Sequence, residues 1–168
     1  CWVWWAGWAD KITQVLGGVN SVAGPFLNVS TPEPTGVVGL CTAAERPLAA
    51  LSSVLAPVLC VGNTAVVVAP LDSALAPLTF GEVLATSDLP KGVANLLVGS
   101  HTDLGPWLAD HDDVDALDIS GVSADLAEDL LARSAGNLKR VAATNGRRSP
   151  QTAGEFLDLK TVWHPARL

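Results

Sequence analysis

Short, mainly apolar runs alternate with segments of helical periodicity through the middle of the chain. The runs are Val37–Cys41, Ala65–Val68, Asn95–Val98, Ala116–Ile119 and Leu138–Ala142. Between them Leu48–Leu55, Leu75–Ala85, Asp103–Asp110 and Ser123–Arg133 read as helices. Runs without strict polar alternation fit strands covered on both faces. Strands that alternate with helices predict an α/β domain: a doubly wound, mostly parallel sheet with helices on both faces and right-handed crossovers. The stretch Gly36–Asp72 is its seed, reading as strand, helix, Gly-Asn turn and second strand. Pro47 is acceptable in a first helical turn, where its missing N–H would be unpaired anyway. Ser123 suits an N-cap, acidic residues follow it, and Arg133 falls in the last turn of that helix.

The two ends follow other patterns. Residues 2–16 predict one amphipathic helix with Trp4, Trp8, Ile12 and Val15 on a single stripe and Trp5 to its side, ended by Gly17 and Gly18. Residues 19–35 read as a connector with a short strand near Phe26–Val29. The alternation stops after Arg147 and Arg148, and the tail Phe156–Leu168 holds one more strand, Leu159–Trp163. The expected organisation is therefore 1–35, a Trp-rich helix and connector; 36–150, the sheet domain; and 151–168, a tail with a terminal strand. A helix so rich in Trp implies packing onto something large, and exposed aromatics of this kind mark interfaces.

At 168 residues, with 49% apolar and 16% charged residues, the chain can bury a real core. Ten basic against seventeen acidic side chains give a net charge of −7, which argues against nucleic acid or an anionic membrane as partner. Cys1, Cys41 and Cys60 are odd in number and the last two lie in apolar runs, which suits reduced thiols acting as small hydrophobes, and so the cytoplasm. No charge occurs from Pro47 to Leu71, but Pro47, Pro57, Gly62, Asn63 and Pro70 punctuate the stretch, so it reads as helix, turn and strand rather than a membrane span. No basic region precedes an apolar leader. A start on Cys1, with no Met anywhere, suggests a piece of something longer.

Local motifs for chemistry are missing. Neither G-x-G-x-x-G nor G-x-x-x-x-G-K-[ST] occurs, and there is no G-x-S-x-G elbow. His101, His111 and His164 are scattered without metal-ligand spacing, and the cluster Asp110, His111, Asp112, Asp113 reads as a solvated helix end.

The order of longer segments is informative. WAGWADKI is similar to a helix ending A-x-x-A-D-K. PEPTGVVGLCTAAERPL resembles P-x-G-V-V-G-x-I-x-P-W-N-F-P-L, and LAPVLCVGNTAVVVAP resembles A-P-A-L-x-x-G-N-T-V-V-x-K-P. LPKGVANLLVGS, HDDVDALDISG and NLKRVAATNGRRSP resemble L-P-x-G-V-x-N-x-V-x-G, H-x-D-V-D-x-I-x-F-T-G-S and N-L-K-x-V-x-L-E-L-G-G-K-S-P. Six such segments in order resemble the cofactor-binding half of the aldehyde dehydrogenase superfamily. The tail FLDLKTVWHP is similar to that family's late carboxy-terminal segment. A Rossmann-like sheet is the fold this resemblance implies.

Aldehyde oxidation needs a Cys thiolate, a donor to the oxyanion and a carboxylate base. By the resemblance, the family's Asn falls on Glu45 and its Glu on Thr144. Cys41 and Cys60 do not match its nucleophile, whose domain the resemblance implies is missing. The cofactor Lys falls on Val68, and the acid after it on Leu71, beside Asp72. The T-G-S turn reads Ser120, Gly121, Val122, while Gly99 and Gly105 remain. What contact with a cofactor survives would involve Cys41, Thr42, Gly99, Ser120 and Gly121, with NAD or NADP bound weakly if at all. No metal site is implied. The resemblance implies a non-catalytic domain, most like the degenerate second unit of the family's tandem members. Its expected partners are a catalytic unit, in the same chain or another, and a second copy in a dimer. The alternative is the cofactor-binding part of an active NAD(P)-dependent aldehyde dehydrogenase.

Overall fold

The computed structural model describes residues 1–165; the last three positions of the tail lie outside the described residues. The elements run α1 (Trp2–Ala9), α2 (Ile12–Leu16), β1 (Gly18–Asn20), β2 (Phe26–Pro34), β3 (Val37–Cys41), α3 (Pro47–Cys60), β4 (Thr64–Ala69), α4 (Leu75–Ala85), β5 (Ala94–Val98), α5 (His101–Asp110), β6 (Ala116–Asp118), α6 (Ala124–Ser134), β7 (Arg140–Ala142), α7 (Pro150–Gly154) and β8 (Leu157–Pro165).

Five strands form one parallel sheet in the order β5-β4-β3-β6-β7. Their side chains alternate between its two faces. Val38, Leu40, Ala65 and Val67 face a core shared with α1 and α3, while Val66, Val68 and Leu117 face α5 and α6. The sheet is thus covered on both sides, as the apolar runs predict. Gly39 leaves the space that Leu117 and Leu108 fill: a Cβ there would lie 2.8 Å from Leu117 Cδ1. Asn63, in the αβ turn between α3 and β4, ties it to its surroundings: its amide oxygen accepts from Gly36 N–H at 2.8 Å and its Nδ2 donates to the Phe156 carbonyl at 2.9 Å.

The strand order reverses between β3 and β6. Chain growth runs outward from β3 through β4 to β5 on one side, and through β6 to β7 on the other. The crevice above the carboxyl ends of β3 and β6 is therefore the place where such sheets hold ligands.

The ends depart from the expected pattern in three places. First, the helix over 2–16 is broken at Asp10 and Lys11 into α1 and α2, so no continuous stripe exists. Trp5, not the Trp4–Trp8 row, enters the core at 1% exposure, and Val15 points outward at 52%. Trp2 anchors α1 on α3: its Nε1 donates to Ser52 Oγ at 3.1 Å, and its ring stacks on Phe80 at 5.4 Å. Second, the connector strand is nine residues long, because β2 pairs antiparallel with β8 from Phe26–Pro165 to Pro34–Leu157, forming a second sheet with β1. Third, Leu138 lies outside the fifth strand in a left-handed turn (φ 56°), and β7 starts at Arg140.

Candidate functional site: the crevice above β3, β6 and β7

A cleft of about 560 Å³ opens at the carboxyl ends of β3, β6 and β7. The segment after β3 supplies Cys41, Ala43, Glu45 and Arg46, the first turns of α3 supply Ala49, Ala50 and Ser53, and the turn after β6 supplies Ser120 and Gly121. The turn after β7 adds Asn145, Gly146 and Arg148, and Cys1 closes one side. The volume is in the range of small-molecule sites.

Gly121 makes the cleft floor possible. A Cβ at this position would stand 2.3 Å from the Cys41 carbonyl oxygen and 2.5 Å from Ala43 N. The turns after β3 and β6 therefore meet backbone to backbone, and only glycine fits. At Gly146, where φ is 67°, an added Cβ would stand 2.9 Å from the side-chain Ser53 Oγ.

Beneath the floor lies a carboxylate that the sequence does not flag as functional. Asp118, at the end of β6, is fully buried. Its Oδ1 accepts from Ser120 N–H at 2.8 Å, and its Oδ2 accepts from the Thr144 hydroxyl at 2.6 Å and from Thr144 N–H at 3.4 Å. Ser120 Oγ in turn accepts from Asn145 N–H at 2.9 Å. The turns after β6 and β7 are latched together by these bonds. An acid inside the apolar run ALDIS was the available signal for such a buried, bonded group.

The thiol of Cys41 is wholly buried at the edge of this network. Burial first, and the neighbouring Asp118 charge second, push its pKa up to about 12. It is a thiol at neutral pH and not a nucleophile. Burial also raises Cys60, whose Sγ donates to the Trp5 carbonyl at 3.2 Å.

The expected site residues divide clearly. Cys41, Glu45, Ser120 and Gly121 come together in the cleft. Thr42 is buried beside it, its N–H donating to the Val68 carbonyl at 3.0 Å. Thr144 lies under the floor on Asp118. Gly99 sits against α5, where a Cβ would strike Leu104 at 2.6 Å, and Gly105 makes room for Leu130 at 3.3 Å, so both serve packing. Val68 is in the core, whereas Leu71 is 73% exposed. Arg46, Ser53, Asn145 and Arg148 are cleft residues that sequence reasoning passed over. Arg46 and Arg148 are bases flanking recognisable segments, and only the fold brings them to one cavity. Among the described residues no group of three or more His, Cys, Asp or Glu could hold a metal ion. No helix among them is long and apolar enough to cross a membrane.

The aldehyde dehydrogenase family model matches residues 1–166. Aldehyde dehydrogenase 1A1 of Gallus gallus is 35% identical over 170 aligned positions, covering 95% of this chain and 32% of the relative. Cytosolic 10-formyltetrahydrofolate dehydrogenase of Mus musculus is 34% identical over 149 positions, covering 88% of this chain and 16% of the relative. Among solved structures, PnpE from Pseudomonas sp. WBC-3 superposes with a TM-score of 0.77 at 33% identity, covering 82% of this chain and 28% of PnpE. Betaine aldehyde dehydrogenase from Staphylococcus aureus, solved in complex with NAD+, gives 0.77 at 26% identity, covering 83% of this chain and 27% of that one. The chain spans about a third or less of the length of these relatives. Both the match along the chain and the shared Rossmann-like sheet lead to one conclusion: the chain belongs to the aldehyde dehydrogenase family.

Proposed function

We propose that this aldehyde dehydrogenase-family domain is non-catalytic and serves a structural or assembly role beside a catalytic unit, in the same chain or another, as in the degenerate second units of tandem family members. The observation that carries the reading is the Thr144–Asp118 bond. The position matched to the family's base holds a hydroxyl committed to a buried carboxylate. Two further features support it. Glu45 lines the cleft with a carboxylate where an amide donor would stabilise an oxyanion. The thiol at Cys41 is held protonated by burial. A second copy as partner, a cytoplasmic location and the division into 1–35, 36–150 and 151–168 belong to the same reading.

The test is aldehyde-dependent formation of NADH or NADPH by the purified chain, followed at 340 nm with small aliphatic and aromatic aldehydes. The expected rate equals the protein-free control. Turnover that is abolished by blocking thiols would overturn the reading.

One observation favours a second reading, the cofactor-binding part of an active NAD(P)-dependent enzyme: the sheet superposes on a relative solved with NAD+. Calorimetry with NAD and NADP separates the two. Affinity tighter than about 10 μM, about −7 kcal/mol, supports the second reading. Weaker or absent binding fits the loss of a cofactor lysine at Val68.

A further inference from the structure

We infer that the cleft above β3, β6 and β7 is a binding site for a small organic anion, a carboxylate or a phosphate monoester, held by Arg46 and Arg148. The chain carries seventeen acidic and ten basic side chains, so a cation here has carboxylates available to it. Lys11 pairs with Asp10, Arg133 with both Asp110 and Asp129, Arg140 with Asp158 and Lys160 with Glu33, whereas Lys91, Lys139 and Arg147 form no ion pair among the described residues. Arg46 and Arg148 line the cleft and make no ion pair or side-chain hydrogen bond among the described residues. Glu45 is the single carboxylate in the lining and is likewise unpaired there. Two guanidinium groups and one carboxylate line the cleft of a molecule of net charge −7, and the Asp118 carboxylate lies buried beneath its floor, tied up by Ser120 and Thr144.

The backbone contributes as well. Arg46 is the N-cap residue of the fourteen-residue α3 and is held in the left-handed region, φ 49° and ψ 59°. Among the described residues no side chain caps that helix start; Pro47 has no N–H and Ala50 N–H donates to the Arg46 carbonyl at 2.9 Å, so the Ala49 N–H and the positive end of the dipole lie at the cavity rim. Left-handed backbone at a non-glycine residue costs energy and persists only where its surroundings hold it. Pro47 follows at the first helical position. Arginine's planar fork suits two-point recognition of a carboxylate or phosphate. The Ser120 hydroxyl, whose oxygen accepts from Asn145 N–H, retains its own proton for donation to a ligand. A cavity of about 560 Å³ accommodates a short-chain acid or a phosphorylated small molecule.

The inference rests on the reading of this cleft as non-catalytic, and its readout is separate: binding is measured without NAD or aldehyde, so turnover would overturn that reading alone. The experiment is calorimetric titration of the whole chain with inorganic phosphate and, separately, with succinate, at constant ionic strength set by chloride. The expected result is saturable binding of one or both below about 1 mM. Binding of phosphate alone assigns phosphate monoesters, binding of succinate alone assigns carboxylates, and binding of both assigns the shared anion chemistry. Arg46→Gly, which retains the left-handed turn, and Arg148→Ala should each weaken binding at least tenfold. Arg148→Lys should restore part of the loss, and Lys91→Ala, outside the cleft, should change nothing. No saturable heat with either anion overturns the proposal. So does binding that survives both arginine substitutions, or that falls equally with Lys91→Ala.

Discussion

Asp118 is a carboxylate without solvent contact, and its stability depends on its donors. Thr144→Val removes the 2.6 Å hydroxyl bond while keeping the shape, leaving Oδ2 with only the longer N–H bond. The expected loss is about 1.5–3 kcal/mol, read as a lower urea midpoint at unchanged m. A neutral result would mean that water replaces the hydroxyl. Gly121→Ala drives a Cβ to 2.3 Å from the Cys41 carbonyl and should cost about 1–3 kcal/mol or more, with a falling melting temperature. Cys41 gives a pH-dependent signature. Its folded pKa, about 12, stands above the ordinary thiol value of 9.0. The folded state therefore binds more protons than the unfolded state between these values. Its contribution to stability is complete below pH 9 and is lost as pH rises towards 12. Cys41→Ala should flatten the alkaline limb of the stability profile, measured by denaturation from pH 8 to 11. In the native protein at pH 8, alkylation should label exposed Cys1 rapidly and spare Cys41, as peptide mapping by mass spectrometry would report.

At the scale of elements, α1 shows how a stripe drawn through a helix break names the wrong anchor. The row Trp4, Trp8, Ile12, Val15 assumes one unbroken helix. The chain breaks at Asp10 and Lys11, and α1 rotates Trp5 into the core beside α3. Trp4 packs edge-on against Trp5 at 4.7 Å and Trp8 lies 5.6 Å from Trp4. Trp5→Ala should therefore cost about 3–5 kcal/mol, far more than the same change at Trp8, as chemical denaturation would show. Trp5→Phe should be much milder, because among the described residues Trp5 Nε1 has no hydrogen-bond partner and its removal relieves a buried orphan. The elements of the parallel sheet were legible because each apolar run and its bounding turn agree. Ser123 caps α6, accepting from Leu126 N–H, as its position before the acidic turn predicts. The long β2–β8 pairing was not legible, because β8 is exposed along nearly its whole length, β2 has one buried residue, Asn28, and the partners are over 120 residues apart. Nothing local in either segment names the other.

The whole molecule is two sheets of different character. The parallel sheet is buried on both faces, whereas the β1-β2-β8 ribbon leaves Val19, Leu159, Val162 and Trp163 exposed. Local stability follows buried apolar contact. Amide exchange should therefore be slowest in β3, β4 and β6 and markedly faster along β8 beyond Leu157. Equal protection in the isolated chain would show that another surface, such as a second copy, covers the ribbon. The six family segments made the parallel-sheet class recoverable from sequence, since each segment keeps its strand or turn, while the order β5-β4-β3-β6-β7 came from the structure. The cleft was half legible: Glu45, Ser120 and Gly121 sit in segments that could be matched, while Arg46, Arg148 and Asn145 converge only when β3, β6 and β7 are laid side by side.

By itself the sequence determined the layered α/β architecture, the family and the identity of the residues standing at Glu45 and Thr144, because those depend on local pattern and order along the chain. Tertiary structure alone decided what those residues do. Strand order carries Asp118 under Thr144, backbone contact at Gly121 closes the floor, and the crossover at β3 and β6 brings Arg46 and Arg148 to one crevice. Hydrogen bonds and burial depend on distance in space, and spacing along the chain does not encode that distance.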